Sequence, residues 1–428
     1  MRHTPINADL FTRNRERLAG LLPRQSLAIV NANDLLPTNA DGSLLMQPNS
    51  DLFYLTGIEQ EETLLLLAPD AFDEKQREIL FIRQPNEHLK TWEGHKLNQE
   101  EATRLSAIKQ VKWLSDFPSE FHKLMCEAEH VFLNSNEHKR AVIEVETRDA
   151  RFVRDVQARY PLHQYHRLAR LMHRLRVVKS EEELALIRQA CELTGRGFRR
   201  LLGFVKPGVH ECEVEAELAH EFIRNHARFA YPPIIASGAN SCVLHYNTND
   251  AVCQKGEVLL LDVAAGYANY NSDLTRTIPV GGRFTRRQRQ VYGAVLRALR
   301  AMIQAAVPGT LHRDWQKQAE AFLAEECLRL GLLKPAQVRK QNPDTPAVKK
   351  YFMHGLGHVI GLDVHDVGLM NEPFAPGWVL TVEPGLYLPD EAFGIRLENT
   401  IVVTQDGPVD LMERIPLEAE EIEALMAG

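Results

Sequence analysis

The chain is poor in cysteine and has no long apolar run. Its 428 residues include six cysteines, Cys126, Cys191, Cys212, Cys242, Cys253 and Cys327, with no C-x-x-C among them. That scatter excludes a disulfide framework and a zinc knuckle, and predicts free thiols in a reducing compartment. The longest apolar stretch, 64–68, falls far short of the span of a membrane helix. The opening MRHTPINADL carries no apolar run of the signal-peptide kind. Positive charge is not in excess either: 50 Lys and Arg face 57 Asp and Glu, a net charge of −7. No nucleic-acid partner and no membrane partner are expected from that balance, and the cytoplasm is the expected location. What is present is ordinary for a soluble globular protein, with 44% hydrophobic and 25% charged residues. A chain this long exceeds a single core, so two domains are expected.

Residues 1–172 read as one α/β domain. The short apolar runs at 26–30, 63–67 and 79–82 have the length of buried strands, with helical patterns between them. No catalytic constellation stands out there. Trp92, Glu93 and His95 are the residues to watch, and they read as surface loop. The segment 148–179 is rich in Arg, and Leu168, Leu171, Met172 and Leu175 mark an amphipathic helix in it. A solvated helix face at a domain junction accounts for it better than a nucleic-acid patch does. The boundary is placed between 172 and 173.

Residues 173–428 contain an internal repeat. Ser180-Glu-Glu-Glu183 is a capping box, followed by a helical pattern, Pro207-Gly208, and a second helical pattern. About a hundred residues on, Thr285-Arg-Arg-Gln288, a helical pattern, Pro308-Gly309 and another helix repeat that order. Each unit precedes β-rich sequence, and each β-rich segment carries a pair of carboxylates. The fold expected is α/β (α+β), with a duplicated helix–helix–β-hairpin second domain.

Those pairs carry the chemistry. Asp262 ends the run Glu257-Val-Leu-Leu-Leu-Asp262, whose apolar residues read as a buried strand, and Asp273 follows 11 residues later. With a turn centred between Tyr267 and Ala268 the two acids lie directly opposite. Glu383 and Glu398 are 15 apart and equidistant from a turn between Asp390 and Glu391. Opposed like charges in a sheet are destabilising, and without a cation one of each pair is driven to stay protonated. His354, His358 and His365 cluster within twelve residues, and His245 lies upstream. Gly355, Gly357 and Gly361 argue against a helix there and for backbone that is closely approached. One of these histidines is expected to be a ligand and the others to orient substrate or stabilise an oxyanion. Four carboxylates and one imidazole suit two hard-to-borderline divalent ions: Mn²⁺ is favoured, with Co²⁺, Zn²⁺ or Fe²⁺ admissible. Such a pair generates hydroxide near neutral pH and clamps a tetrahedral intermediate. Arg396, two residues from Glu398 on the same strand face, is expected to orient that carboxylate.

At these residues the chain resembles the pita-bread metallopeptidases of the Xaa-Pro aminopeptidase (aminopeptidase P) group. The runs that carry the likeness are 237–246, Asp262 through Asp273-Leu-Thr-Arg-Thr277, Met353-His-Gly-Leu-Gly-His358, Asp363-Val-His-Asp-Val-Gly368, Val382-Glu-Pro-Gly-Leu-Tyr387 and Gly394-Ile-Arg-Leu-Glu398. Gln47-Pro-Asn-Ser-Asp-Leu-Phe-Tyr-Leu-Thr-Gly57 extends it into the first domain. The resemblance implies Asp262, Asp273, His358, Glu383 and Glu398 as metal ligands, with Asp273 and Glu398 bridging. It implies His245, His354 and His365 in substrate binding and stabilisation of the intermediate, and Glu383 as a proton relay to the departing proline nitrogen. Tyr387 is grouped with Arg396 beside substrate and ligands. A homodimer or tetramer and a proline-containing peptide substrate follow from the same likeness. The reaction implied is removal of an N-terminal residue preceding proline, by attack of a metal-bridging hydroxide. A prolidase, limited to Xaa-Pro dipeptides, is the near alternative. A non-catalytic pita-bread binding protein is the distant one.

Overall fold

The computed structural model describes residues 3–138 and 144–428. They form two compact units, His3–Arg176 and Val177–Gly428.

In the first unit, strands β1 (Ser26–Asn31), β2 (Leu64–Leu67), β3 (Glu78–Ile82), β4 (Gln110–Trp113), β5 (His130–Leu133) and β6 (Gln164–Arg167) form one sheet in the order β4-β3-β2-β1-β5-β6. The β1–β2 and β2–β3 pairs are antiparallel, and the outer three pairs are parallel. Every residue of β1 and β2 is buried, which is why they read as unbroken apolar runs rather than alternating ones. Leu27, Ile29, Leu64, Leu66, Ile79 and Phe81 pack with Phe121, Leu124 and Met125 of the helix Phe117–Glu127. The run 47–57 is a capped turn of helix. Asn49 accepts from Asp51 N and Leu52 N, and a side chain at Gly57 would strike the Phe11 ring. Trp92 is 76% exposed, Glu93 pairs with Arg83 and Lys96, and His95 meets Glu101. These three are at the surface, but Trp92 and Glu93 close the short helix Glu87–Glu93 rather than lying in a loop, and only His95 follows it in irregular chain. Leu168, Met172 and Leu175 are buried, and Arg176 pairs with Asp51 at 2.8 Å.

The second unit shows the duplicated order. Helices Glu181–Phe204 and Arg286–Gln304 both open with a reciprocal capping box, Ser180 with Glu183 and Thr285 with Gln288. Gly208 (φ +95°) and Gly309 (φ +91°) then turn the chain through the left-handed region. A bridge follows in each half, His210 with Val252 and Leu311 with Pro373. Helices Glu211–Arg224 and His312–Arg329 complete the two copies.

The β elements of the first copy are β7 (Arg228–Phe229), β8 (Ile234–Ser237), β9 (Val258–Asp262), β10 (Ala265–Tyr267), β11 (Tyr270–Asn271) and β12 (Thr275–Pro279). Those of the second are β13 (Val379–Val382), β14 (Gly385–Leu388), β15 (Phe393–Arg396), β16 (Asn399–Thr404) and β17 (Gly407–Asp410). Each copy is a broken hairpin. An outer ladder (β9–β12, β13–β16) ends and an inner one (β10–β11, β14–β15) begins, and the carboxylates sit at or beside the break. In the second copy Gly385 pairs with Arg396 and Val382 with Asn399, a register that sets Glu383 opposite Glu398, as expected.

The first copy departs from expectation. Asp262 pairs with Thr275, not with Asp273. The turn is centred one residue later, on Ala268 (φ +49°) and Asn269 (φ +66°). A two-residue hairpin turn of this kind needs positive φ at both central positions. Asn tolerates that conformation, and a bulky Tyr267 at the first position would not. Val263 N donates to Leu274 O and Ser272 N to Ala265 O, so the register runs through the break and leaves Asp273 diagonal to Asp262 on one face. Arg276, fully buried in β12, joins the two hairpins by donating to Thr275 O and Glu398 O.

Candidate metal centre

Asp273, His358 and Glu398 each offer a ligand atom, all within 4.8 Å of one another. His358 Nε2 lies 3.4 Å from Asp273 Oδ2 and 3.7 Å from Glu383 Oε1. The Tyr231 hydroxyl, just ahead of β8, is 2.6 Å from both Asp262 Oδ1 and Asp273 Oδ1. One hydroxyl has one hydrogen, so it can donate to only one of the two carboxylates at a time.

Arg396 at the end of β15 is the cation set into this group. It donates from Nη2 to Asp262 Oδ2 (2.5 Å), from Nη1 to the Tyr387 hydroxyl (2.8 Å) and from Nε to Thr275 Oγ1 (3.1 Å). Thr275 donates in turn to Glu398 Oε2 at 2.7 Å. The link from Arg396 to Glu398 is therefore indirect. Arg396 has Asp262 as its direct carboxylate partner and reaches Glu398 only through the threonine, which the shifted register has placed across from Asp262.

The electrostatics ask for more positive charge than Arg396 brings. Burial, then Asp273, Glu383 and Asp262, hold the Glu398 carboxyl well above the usual carboxylate range. Burial pushes Glu383 up to about 7 despite His358 and Arg396. Burial also raises Asp262, against the pull of Arg396. Burial alone would lower the His358 imidazole, but Asp273 and Glu383 outweigh it and hold it above its ordinary value. Glu398 Oε1 is buried with no hydrogen-bond partner among the described residues. A buried acceptor without a donor, inside a group of mutually repelling carboxylates, is what a cation resolves. The donor set, oxygen-rich with one imidazole, fits a divalent metal.

The histidine segment is irregular, and Gly357 shows why. A Cβ there would lie 2.0 Å from Thr381 O. That close approach lets Thr381 Oγ1 accept from His358 N (3.0 Å), while Thr381 N donates to His358 O (2.9 Å). His354 is held by Gly355 O at Nδ1 and by the Tyr387 hydroxyl at Nε2, both at 2.8 Å. Burial, with Arg396 nearby, pushes its imidazole down to about 3, so it is neutral. With Nδ1–H donating to the carbonyl, Nε2 accepts from Tyr387, and Asp262, Arg396, Tyr387 and His354 form one hydrogen-bonded chain. His365 is exposed and stacks on His358, ring centroids 4.0 Å apart and 19° from parallel. Its loop is fastened by the buried Lys179–Asp366 pair (3.1 Å) and by Asn271, which donates to the carbonyls of Gly361 and Leu362. His245 is exposed and close enough to His354 to act on it electrostatically.

A family model of the M24 metallopeptidases ("Metallopeptidase family M24") matches residues 185–405, and one for the "Aminopeptidase P, N-terminal domain" matches 11–132. The chain is 32% identical over 442 residues to the Xaa-Pro aminopeptidase of Escherichia coli K12, covering 99% of this chain and 98% of that one. The chain belongs to metallopeptidase family M24. Among solved structures, an aminopeptidase P of Bacillus anthracis superposes with a TM-score of 0.91 at 33% identity, over 99% of both chains. The zinc-substituted Escherichia coli aminopeptidase P in complex with product superposes at 0.88 and 32%, also over 99% of both. Within M24 the chain stands with the aminopeptidase P group, so it is a peptide hydrolase with an N-terminal domain ahead of a pita-bread unit.

Measured against the sequence expectations, the M24 unit brings Asp262, Asp273, His358, Glu383, Glu398, His354, Arg396 and Tyr387 into one connected group, with His365 stacked on His358. His245 stands at its margin. Tyr231 and Thr275 were not singled out from sequence. Tyr231 lies in Ala230-Tyr-Pro-Pro233, outside either hairpin, and no local pattern marks it. Thr275 needed the register. For His365→Ala, kcat on a proline-containing tripeptide should fall while bound metal, measured by elemental analysis, stays at the parental level. Loss of metal would make His365 a ligand rather than a neighbour of one.

Proposed function

We propose that this M24 enzyme removes the N-terminal residue preceding proline from peptides of three residues or more. The observation that carries the reading is the gathering of four carboxylates, His358 and the Arg396–Tyr387–His354 chain at the hairpin breaks. The full-length likeness to a Xaa-Pro aminopeptidase supports the substrate class.

Asp262, Asp273, His358, Glu383 and Glu398 are the residues proposed to hold two divalent metals, Mn²⁺ favoured, which when bound supply Lewis acidity and lower the pKa of water. The rest is the work of the chain. Arg396 holds Asp262 in place and neutralises part of the buried charge. His354, kept neutral with its Nε2 facing the Tyr387 hydroxyl, presents a fixed dipole beside Glu383, 3.7 Å away. His245 and His365, both on exposed loops, are assigned to meet the peptide and stabilise the oxyanion that forms at the scissile carbonyl. The bond before proline is a tertiary amide, so its nitrogen must gain a proton to leave as an amine. Glu383 is assigned that transfer.

The prolidase reading is weaker because the likeness extends over the whole chain to an aminopeptidase, including its N-terminal domain. A non-catalytic role loses support because every residue of the implied ligand set is present. The scattered thiols, free among the described residues, support a reducing cytoplasmic setting, and a homo-oligomer completes the proposal. The test is hydrolysis of a Xaa-Pro dipeptide against a Xaa-Pro-Xaa tripeptide, with Mn²⁺, Co²⁺ or Zn²⁺ loaded. The tripeptide is expected to be the better substrate. Cleavage confined to the dipeptide overturns the proposal in favour of a prolidase.

A further inference from the structure

We infer that Glu211, acting through Tyr246, is a positioning residue for His245. The inference rests on the proposed substrate role of His245 and deepens it.

Glu211 is the first residue of the helix Glu211–Arg224 and is 0% exposed. A carboxylate so placed must have its lone pairs used, and the helix N-terminus favours its charge. Four donors use them. Oε1 accepts from Ser237 N and Ser237 Oγ, both at 2.7 Å. Oε2 accepts from the Tyr246 hydroxyl at 2.7 Å, shorter than the 3.0 Å from that hydroxyl to Asp250 Oδ1, and from Ala251 N at 2.9 Å. These donors are the last residue of β8, the middle of the following loop and the point where the chain returns. One carboxylate therefore fastens the loop 238–250 at both ends and in its centre, next to His245.

Elsewhere the loop is held by Cys242, Leu244 and Tyr246, which pack on Ile234, Ala236, Leu260 and Tyr387, and by Ser241 Oγ, which accepts from Gly394 N at 2.7 Å. Its regular structure is the single short 3₁₀ turn Gly238–Cys242. Asn249 adds a further tie, donating to Pro233 O and Glu215 and accepting from Ile235 N. His245 itself projects from the exposed part. Fixing its ring to within a fraction of an ångström, as substrate contact demands, falls to its packed neighbours Leu244 and Tyr246, of which Tyr246 carries the polar tie.

The duplication supplies an independent observation. Glu211 lies three residues after Gly208, and His312 lies three after Gly309, each at the first position of its helix. His312 Nε2 bonds Gly357 O at 2.8 Å, one residue before His358. In both copies the side chain that opens the second helix grips the backbone or side chain adjoining a histidine of the site. The two halves have diverged in residue type, carboxylate against imidazole, and share the position and the task.

The test compares Tyr246→Phe, Glu211→Gln and His245→Ala with the parent enzyme. Tyr246→Phe keeps the ring and removes one hydroxyl. Glu211→Gln sets an amide NH₂ against two donors and releases one side of the loop. Readouts are kcat and KM on a Xaa-Pro-Xaa tripeptide, bound metal, and histidine ring resonances of zinc-loaded, ¹³C-histidine-labelled protein, with His245 assigned by its disappearance in His245→Ala. Tyr246→Phe is expected to lower kcat/KM about tenfold, a mild case of the loss that displaced reacting groups cause. It should shift or broaden the His245 resonance, and leave the metal content and the other histidine signals in place. An unmoved His245 resonance, or a fall in activity that tracks metal loss, overturns the inference. Full activity of His245→Ala defeats the underlying reading instead. That case is recognisable because Tyr246→Phe then moves the resonance without changing turnover.

Discussion

Asp273→Ala is expected to abolish peptide hydrolysis and to take bound metal below two ions per chain. The expected activity is less than about a thousandth of the parent's, the scale on which an active site loses an essential group. The reason to choose Asp273 is that its backbone is held independently of its side chain. Thr400 Oγ1 accepts from Asp273 N at 3.2 Å and donates to Asp273 O at 2.9 Å. Alanine there should therefore leave the hairpin break standing and remove only the carboxylate shared with His358 and Tyr231. A stability measurement separates the chemical loss from unfolding. In the metal-free state Asp273→Ala relieves like-charge repulsion on Glu398, Asp262 and Glu383, whose carboxyls Asp273 helps to raise. The metal-free variant should then melt no lower than the metal-free parent. Elemental analysis, a tripeptide assay and thermal melting with chelator present provide the three readings. Retention of two metals, or of full activity, would refute the dinuclear assignment.

Replacing Arg396 should have the second largest effect, and of a different kind. Its guanidinium is buried and spends Nη2, Nη1 and Nε on Asp262, Tyr387 and Thr275. Arg396→Met leaves Asp262 without its positive partner. Breaking a buried pair from one side costs about 3–5 kcal/mol, so a clear fall in Tm is expected. The same change frees Thr275 and Tyr387, and with them the orientation of Glu398 and His354. Removing a residue that orients ligands typically costs about 10–100-fold in metal affinity or activity, and a loss near the upper end is expected here because two such residues are released together. Arg396→Lys should not restore function. An ammonium is a point charge on a flexible stem and cannot hold three partners in the fixed fork a guanidinium provides. Metal titration and tripeptide kinetics on both variants decide the matter. Wild-type behaviour of Arg396→Lys would show that charge alone, and not the fork, is what the site requires.

Much of the site is legible in the sequence because its signals are local and periodic. Glu383 and Glu398 stand at an odd separation about a turn, and the observed register sets them face to face. The capping boxes at Ser180 and Thr285 and the two Pro-Gly turns announced the duplication, and both copies fold in that order. The first hairpin turns one residue later than its strand pattern predicts, because that pattern does not weigh the φ demands of a turn. Asn269 is the residue that decided it. That single step moved Thr275 to face Asp262, and from it follows the partner Arg396 takes.

The sequence by itself determined the kinds of group present, their spacing within each hairpin, and the need for positive charge between buried acids. Pairing across a turn and helix punctuation depend on neighbours a few residues away, so they can be read along the chain. Only the tertiary structure decided that Tyr231 sits between Asp262 and Asp273, that His365 stacks on His358, and that Glu211 grips the loop of His245. The Tyr231 and Glu211 contacts join separate segments, and the His358–His365 stack lies within one run held from outside by Lys179 and Asn271. Hydrogen-bond partners of that sort are chosen by the fold of several elements at once, and no period in the sequence encodes them.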